Sequence, residues 1–95
     1  MKFSDLQFGP HGSFPDSGVA ARQFFPNGYG ASVVQFTTPF GSGSYGASEG
    51  LYEIAVLKGT EDDWDICYDT YITEDVLGYQ TEEQIESVLN EIEKL

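Results

Sequence analysis

Residues 81 to 95 constrain the fold more than any other stretch of this chain. Thr81 followed three residues later by Gln84 is a capping-box pattern, in which hydroxyl and amide serve the free backbone donors of a helix start. Glu82 and Glu83 fall in the first turn and Lys94 in the last, both favourable to the helix dipole. Ile85, Val88, Leu89, Ile92 and Leu95 recur at offsets of three and four, which makes one apolar stripe. Glu82, Glu86, Asn90 and Glu93 lie mostly on the other side. The spacing predicts an amphipathic helix over 81–95 that needs a flat apolar surface to lie on.

An antiparallel sheet supplies that surface. Val19 to Phe25 and Ala31 to Phe36 read as two strands joined by Pro26-Asn27-Gly28-Tyr29-Gly30, where Asn-Gly is a tight-turn signal because both residues tolerate positive φ. Leu51 to Lys58 is apolar on both faces, as expected of a central strand. After a turn at residues 59 to 63, Trp64, Ile66 and Tyr68 alternate with Asp65, Cys67 and Asp69, which predicts a fourth strand with its acids toward water. Thr73 to Val76 is expected to start a single helical turn that Gly78 ends. Residues 39 to 50 form a Gly/Ser-rich loop expected to be mobile, and residues 1 to 17 an irregular segment with room for one short strand. The expected fold class is therefore α+β, a four-stranded antiparallel β-meander with one C-terminal helix packed on one face, in a single domain over 1–95.

Composition bounds this reading. With 95 residues there is room for one domain of modest stability, to which dimerisation would add. The 40% apolar and 15% aromatic content is too high for a disordered acidic tail. Cys67 is the only cysteine, so no internal disulfide and no cysteine zinc site can form, which suits a reducing cytoplasm. Residues 1 to 5 lack the run of a signal peptide, and no stretch approaches the roughly 20 apolar residues of a membrane helix.

The charge is one-sided. Residues 49 to 95 hold fourteen carboxylates against Lys58 and Lys94, so that half carries the whole formal net charge of −12. Such a field repels nucleic acid and anionic membranes and attracts basic protein surfaces. The densest acids are Glu61, Asp62, Asp63 and Asp65, with Asp69 close behind; Glu82, Glu83, Glu86 and Glu93 extend them along the helix. They lack the D-x-D-x-D-G spacing of a calcium loop, so no metal or cofactor is expected. Tyr29 at the hairpin tip and Tyr45 in the Gly/Ser loop, with Phe40, Tyr71 and Tyr79, are expected as exposed aromatic anchors beside the acids.

Gly41, Gly43 and Gly46 spell G-x-G-x-x-G, but the strand–helix context of a dinucleotide site is missing. His11 is the only histidine and lies in a Gly/Pro-rich segment, while Asp65 and Asp69 would raise the pKa of Cys67 and dull it. No activated nucleophile or base can be assembled, and no enzyme is expected.

Three stretches carry a resemblance: Gln23 through Val34 around Phe25-Pro26-Asn27-Gly28-Tyr29-Gly30; Gly50-Leu51-Tyr52-Glu53-Ile54-Ala55-Val56-Leu57-Lys58-Gly59; and Cys67-Tyr68-Asp69-Thr70 through Tyr79. Over most of residues 22 to 79 the chain resembles small acidic proteins of uncharacterised function encoded in bacteriophage and prophage genomes. The resemblance implies a protein of the host cytoplasm that inhibits or modulates a host factor by occupying a basic surface. A CRISPR effector or restriction enzyme is the expected target, with carboxylates presented where DNA phosphates would lie. The other expectations are a phage structural or assembly role through homo-oligomerisation, and a small enzyme or ligand binder built on the carboxylates.

Overall fold

A computed structural model describes residues 1–39, 43–73 and 75–95. Among the described residues six strands form one antiparallel sheet: β1 (Gly9–Pro10), β2 (Gly18–Phe24), β3 (Tyr29–Phe36), β4 (Tyr52–Thr60), β5 (Asp63–Ile66) and β6 (Leu77–Gln80). The helix α1 (Glu82–Glu93) packs on one face. The α+β class, the antiparallel order and the C-terminal helix agree with the sequence, and β2 to β5 are the four strands it predicts. The count of four is corrected to six. β1 pairs with β2 through only two residues, too few to leave a periodic signal.

β6 corrects a second expectation. Gly78 ends no helical turn; it lies inside a short strand that pairs with the first half of β4, Tyr52 opposite Gln80 and Ile54 opposite Leu77, with an irregularity between them. β5 pairs with the other half of β4, from Leu57 to Thr60. β4 therefore has β3 along one edge and β5 and β6 in succession along the other, and its inner residues Ile54, Ala55, Val56 and Leu57 are all buried. Two-sided burial explains why both of its faces are apolar.

The core lies between the sheet and α1. Ile85, Leu89 and Ile92 are fully buried against Ala31, Val33, Ile54 and Val56. The capping box forms as written: the Gln84 N–H donates to Thr81 Oγ1 at 3.2 Å, and the Thr81 N–H donates to Gln84 Oε1 at 2.8 Å. In the β2–β3 turn the Gly28 N–H donates to the Phe25 carbonyl, and Gly28 takes the left-handed conformation with φ +85°. Asn27 keeps a negative φ, so only one of the two turn residues uses the freedom that the Asn-Gly pair offers.

The described part of the 39–50 loop is tied to the sheet. Ser44 is buried, and its hydroxyl accepts the Phe36 N–H at 3.0 Å. Residues Ala47–Glu49 make one 3-10 turn. Phe40 and Gly41, singled out in the sequence, lie outside the described residues, as does Glu74.

Candidate functional site

Strand order decides which acids meet. β5 ends the path β1-β2-β3-β4-β5, so its outer edge is unpaired among the described residues. Thr60 pairs with Asp63, which leaves Glu61 and Asp62 as the exposed two-residue tip of the β4–β5 hairpin. Gly59 permits this turn: it takes φ +126°, and a Cβ there would stand 2.2 Å from the Asp63 carbonyl. Asp63 and Asp65 are exposed on β5, and Asp69 is exposed three residues after the strand ends. Lys58, Asp65, Cys67, Tyr68 and Asp69 line an open hollow of about 420 Å³.

Two apolar side chains share that edge. Ile66 is 40% exposed and Tyr68 53% exposed. The period-two pattern groups them with half-buried Trp64 as one inward face, but Trp64 and Ile66 pair with Gly59 and Leu57 and so lie on the sheet face opposite α1. Only the packing position of the helix reveals that they are bare. Tyr71 is also exposed, and its hydroxyl donates to Glu91 Oε2 at 2.7 Å.

The helix acids fall into a different place. α1 starts after β6 at the Tyr52 end of β4 and finishes where the Asn27 amide reaches the Ile92 carbonyl, beside the Tyr29–Lys58 pair. Glu82 and Glu83 thus sit at the opposite end of β4 from Glu61 and Asp62, about 26 Å away at ~3.3 Å per strand residue. Glu86 and Glu93 have internal duties. Glu86 Oε1 accepts the Phe3 N–H at 2.8 Å, and Glu93 Oε1 lies 3.4 Å from the Met1 amine. The acids form two patches, of which the β5 edge is the denser.

The sequence-predicted aromatics also divide. Tyr29 is half-buried at the start of β3, with the Lys58 ammonium 5.9 Å from its ring centroid. Tyr45 is exposed and stacks on Tyr79 at 6.3 Å, while its N–H donates to Glu53 at 2.9 Å. Tyr45 therefore lies with the loop and β6, away from the acidic edge.

Cys67 is buried, and its thiol donates to Asp69 Oδ1 at 2.8 Å. Burial first, and the hydrogen bond to Asp69 second, push the thiol pKa up. The same hydrogen bond holds the Asp69 carboxyl below its ordinary value. A protonated, buried thiol is a poor nucleophile. Among the described residues no group of three or more His, Cys, Asp or Glu side chains could hold a metal ion. No helix among the described residues is long and apolar enough to cross a membrane.

No protein-family model matches this chain, and no curated protein and no solved structure matches it.

Proposed function

We propose that this chain is a phage-encoded, non-catalytic docking protein that blocks a basic surface on a host nucleic-acid-handling defence factor. The observation that supports it most is the β5 edge, where Asp62, Asp63, Asp65 and Asp69 stand exposed beside Ile66 and Tyr68. Carboxylates on an open strand edge steer a cationic groove and set its orientation. The neighbouring apolar groups then slow release, because desolvated aromatic and aliphatic anchors carry most interface energy. The phage origin and the class of target rest on the resemblance over residues 22 to 79.

The test is a titration of a nucleic-acid-binding partner captured from host lysate. Asp62→Asn, Asp63→Asn and Asp65→Asn together should weaken binding at least about tenfold, mainly through slower association. Tyr68→Ala should mainly speed dissociation. Duplex DNA should compete with the chain for the partner. Affinity that stays constant from low to high salt would sink the reading and leave the acids as solubilising groups.

A further inference from the structure

The sheet face opposite α1 carries a groove that adjoins the docking edge at Glu61 and Ile66. Side chains alternate along strands, so Arg22 of β2, Ser32 and Val34 of β3, Leu57 of β4 and Trp64 of β5 all point to this face. His11 closes one side, its ring tilted by 37° against Phe36 with centroids 4.4 Å apart. Two hollows of about 570 and 220 Å³ adjoin here and share His11, Ser32 and Val34. Such a volume with an apolar floor and a few converging polar groups is the usual form of a small-molecule site.

The polar groups are distinctive. The chain has one arginine, one histidine and one tryptophan, and all three line this groove. The Arg22 guanidinium stands 5.1 Å from the Trp64 ring centroid, a cation–π contact that orients its donor fork. The chain has sixteen carboxylates, and Glu61 and Glu53 line these hollows, yet among the described residues Arg22 forms no ion pair. Its forked donors are thus free to bind a carboxylate with two parallel hydrogen bonds. His11 Nδ1 accepts the Ser13 and Phe14 N–H groups at 3.1 and 3.3 Å, so the hydrogen-bond network assigns the ring proton to Nε2, a second donor.

We propose that this groove binds a small monocarboxylate with an apolar or aromatic body, its carboxylate on Arg22 and its body against Trp64 and Val34. The net charge selects the size of the anion. A polyanion or a second copy of this chain meets the full repulsion of −12, whereas a monoanion takes one unit of it. A free organic acid and the C-terminus of a peptide offer the same chemistry.

Phenylacetate is the probe, titrated into the full chain while the emission of the sole tryptophan and the NMR shifts of the Trp64 and Arg22 side-chain N–H groups are followed. A saturable change is expected. Phenylacetamide, the neutral analogue, should bind at least about tenfold more weakly, since a charge-assisted fork is lost. Arg22→Gln should weaken phenylacetate by a similar factor with an unchanged thermal midpoint, because Arg22 is exposed. A tripeptide ending in phenylalanine, compared with its amidated form, identifies which source the groove prefers. Absence of a saturable response in the wild type, equal affinity for phenylacetate and phenylacetamide, or an undiminished response in Arg22→Gln would each overturn the proposal. The triple Asp62, Asp63, Asp65 variant should retain phenylacetate binding, so a failure at the groove and a failure of the docking edge are read separately.

Discussion

The Asn27 side chain joins two parts of the molecule that are far apart in sequence. Its Oδ1 accepts the Tyr29 N–H at 3.0 Å, which shapes the β2–β3 turn. Its Nδ2 donates to the Ile92 and Glu93 carbonyls at 2.9 and 3.2 Å. Those are carbonyls of the last helical turn, where Ile92 otherwise accepts only from donors of the C-terminal cap, the Leu95 N–H at 3.1 Å among them. Replacing Asn27 by Ala should cost about 1 kcal/mol in urea unfolding. Asp is nearly the same shape, yet it should cost more: it offers no donor and puts a negative charge at the negative pole of α1. If N27D unfolds no more easily than N27A, the amide is not capping the helix. Cys67 carries a prediction in pH. Its pKa is raised on folding, so the stability it contributes is complete below the unfolded thiol value of about 8.5 and is lost as pH rises through the folded value. Stability should fall above about pH 8.5, and Cys67→Ala should flatten that part of the profile. Parallel profiles for the two proteins would show that the thiol is not the titrating group.

At the scale of elements, the helix stands on local rules and β6 does not. Thr81→Ala removes the hydroxyl that accepts the Gln84 N–H and should cost about 1 kcal/mol, measured by the thermal or urea midpoint. That loss is foreseeable from sequence because the cap and the stripe of Ile85, Leu89 and Ile92 are separated by fixed helical spacing. β2 to β5 were legible for a similar reason: their alternation and the turns at Gly28 and Gly59 are local. Leu77-Gly78-Tyr79-Gln80 reads as a turn, since Gly weakens a strand and Tyr79 adopts φ +56°, the sole positive φ among the described non-glycine residues. What places this segment beside β4 is a contact made at a distance. A Cβ on Gly78 would come 2.3 Å from the Tyr45 Cβ, so the glycine exists to let the 43–50 segment close over it. Gly78→Ala should therefore destabilise by about 1–3 kcal/mol and disturb the Tyr45–Tyr79 stack. A neutral effect would mean that this packing yields at little cost. The candidate site divides in the same way. The acids of the β4–β5 hairpin are adjacent in sequence and visible there, whereas the exposure of Ile66 and Tyr68, and the meeting of Arg22 with Trp64, depend on which face α1 covers.

At the scale of the whole molecule, the question is how far the acids feel one another. The principal extents are 37 × 26 × 25 Å, and the hairpin acids lie about 26 Å from Glu82 and Glu83. At an ionic strength of about 0.1 M the screening length is ~10 Å, so the two patches are independent; at about 0.01 M it is ~30 Å, and the net charge of −12 acts as one field. Self-repulsion of that field opposes the compact state. Among the described residues few ion pairs offset it: Lys94 lies 3.8 Å from Glu91 on an exposed helix end, and such surface pairs contribute little. The thermal midpoint should therefore rise as salt increases from about 0.01 to 0.1 M and then level off, since beyond that only near neighbours interact. Glu61→Gln with Asp62→Asn, at the hairpin tip, should raise the midpoint at low salt and lose most of that advantage at about 0.5 M. Docking through the β5 edge should move in the opposite direction over the same range, weaker as the fold grows more stable, because one set of charges drives both effects. A midpoint insensitive to salt, or a hairpin-tip variant less stable than the wild type, would mean that these carboxylates make favourable contacts in the folded protein, and the opposition between stability and docking would then vanish.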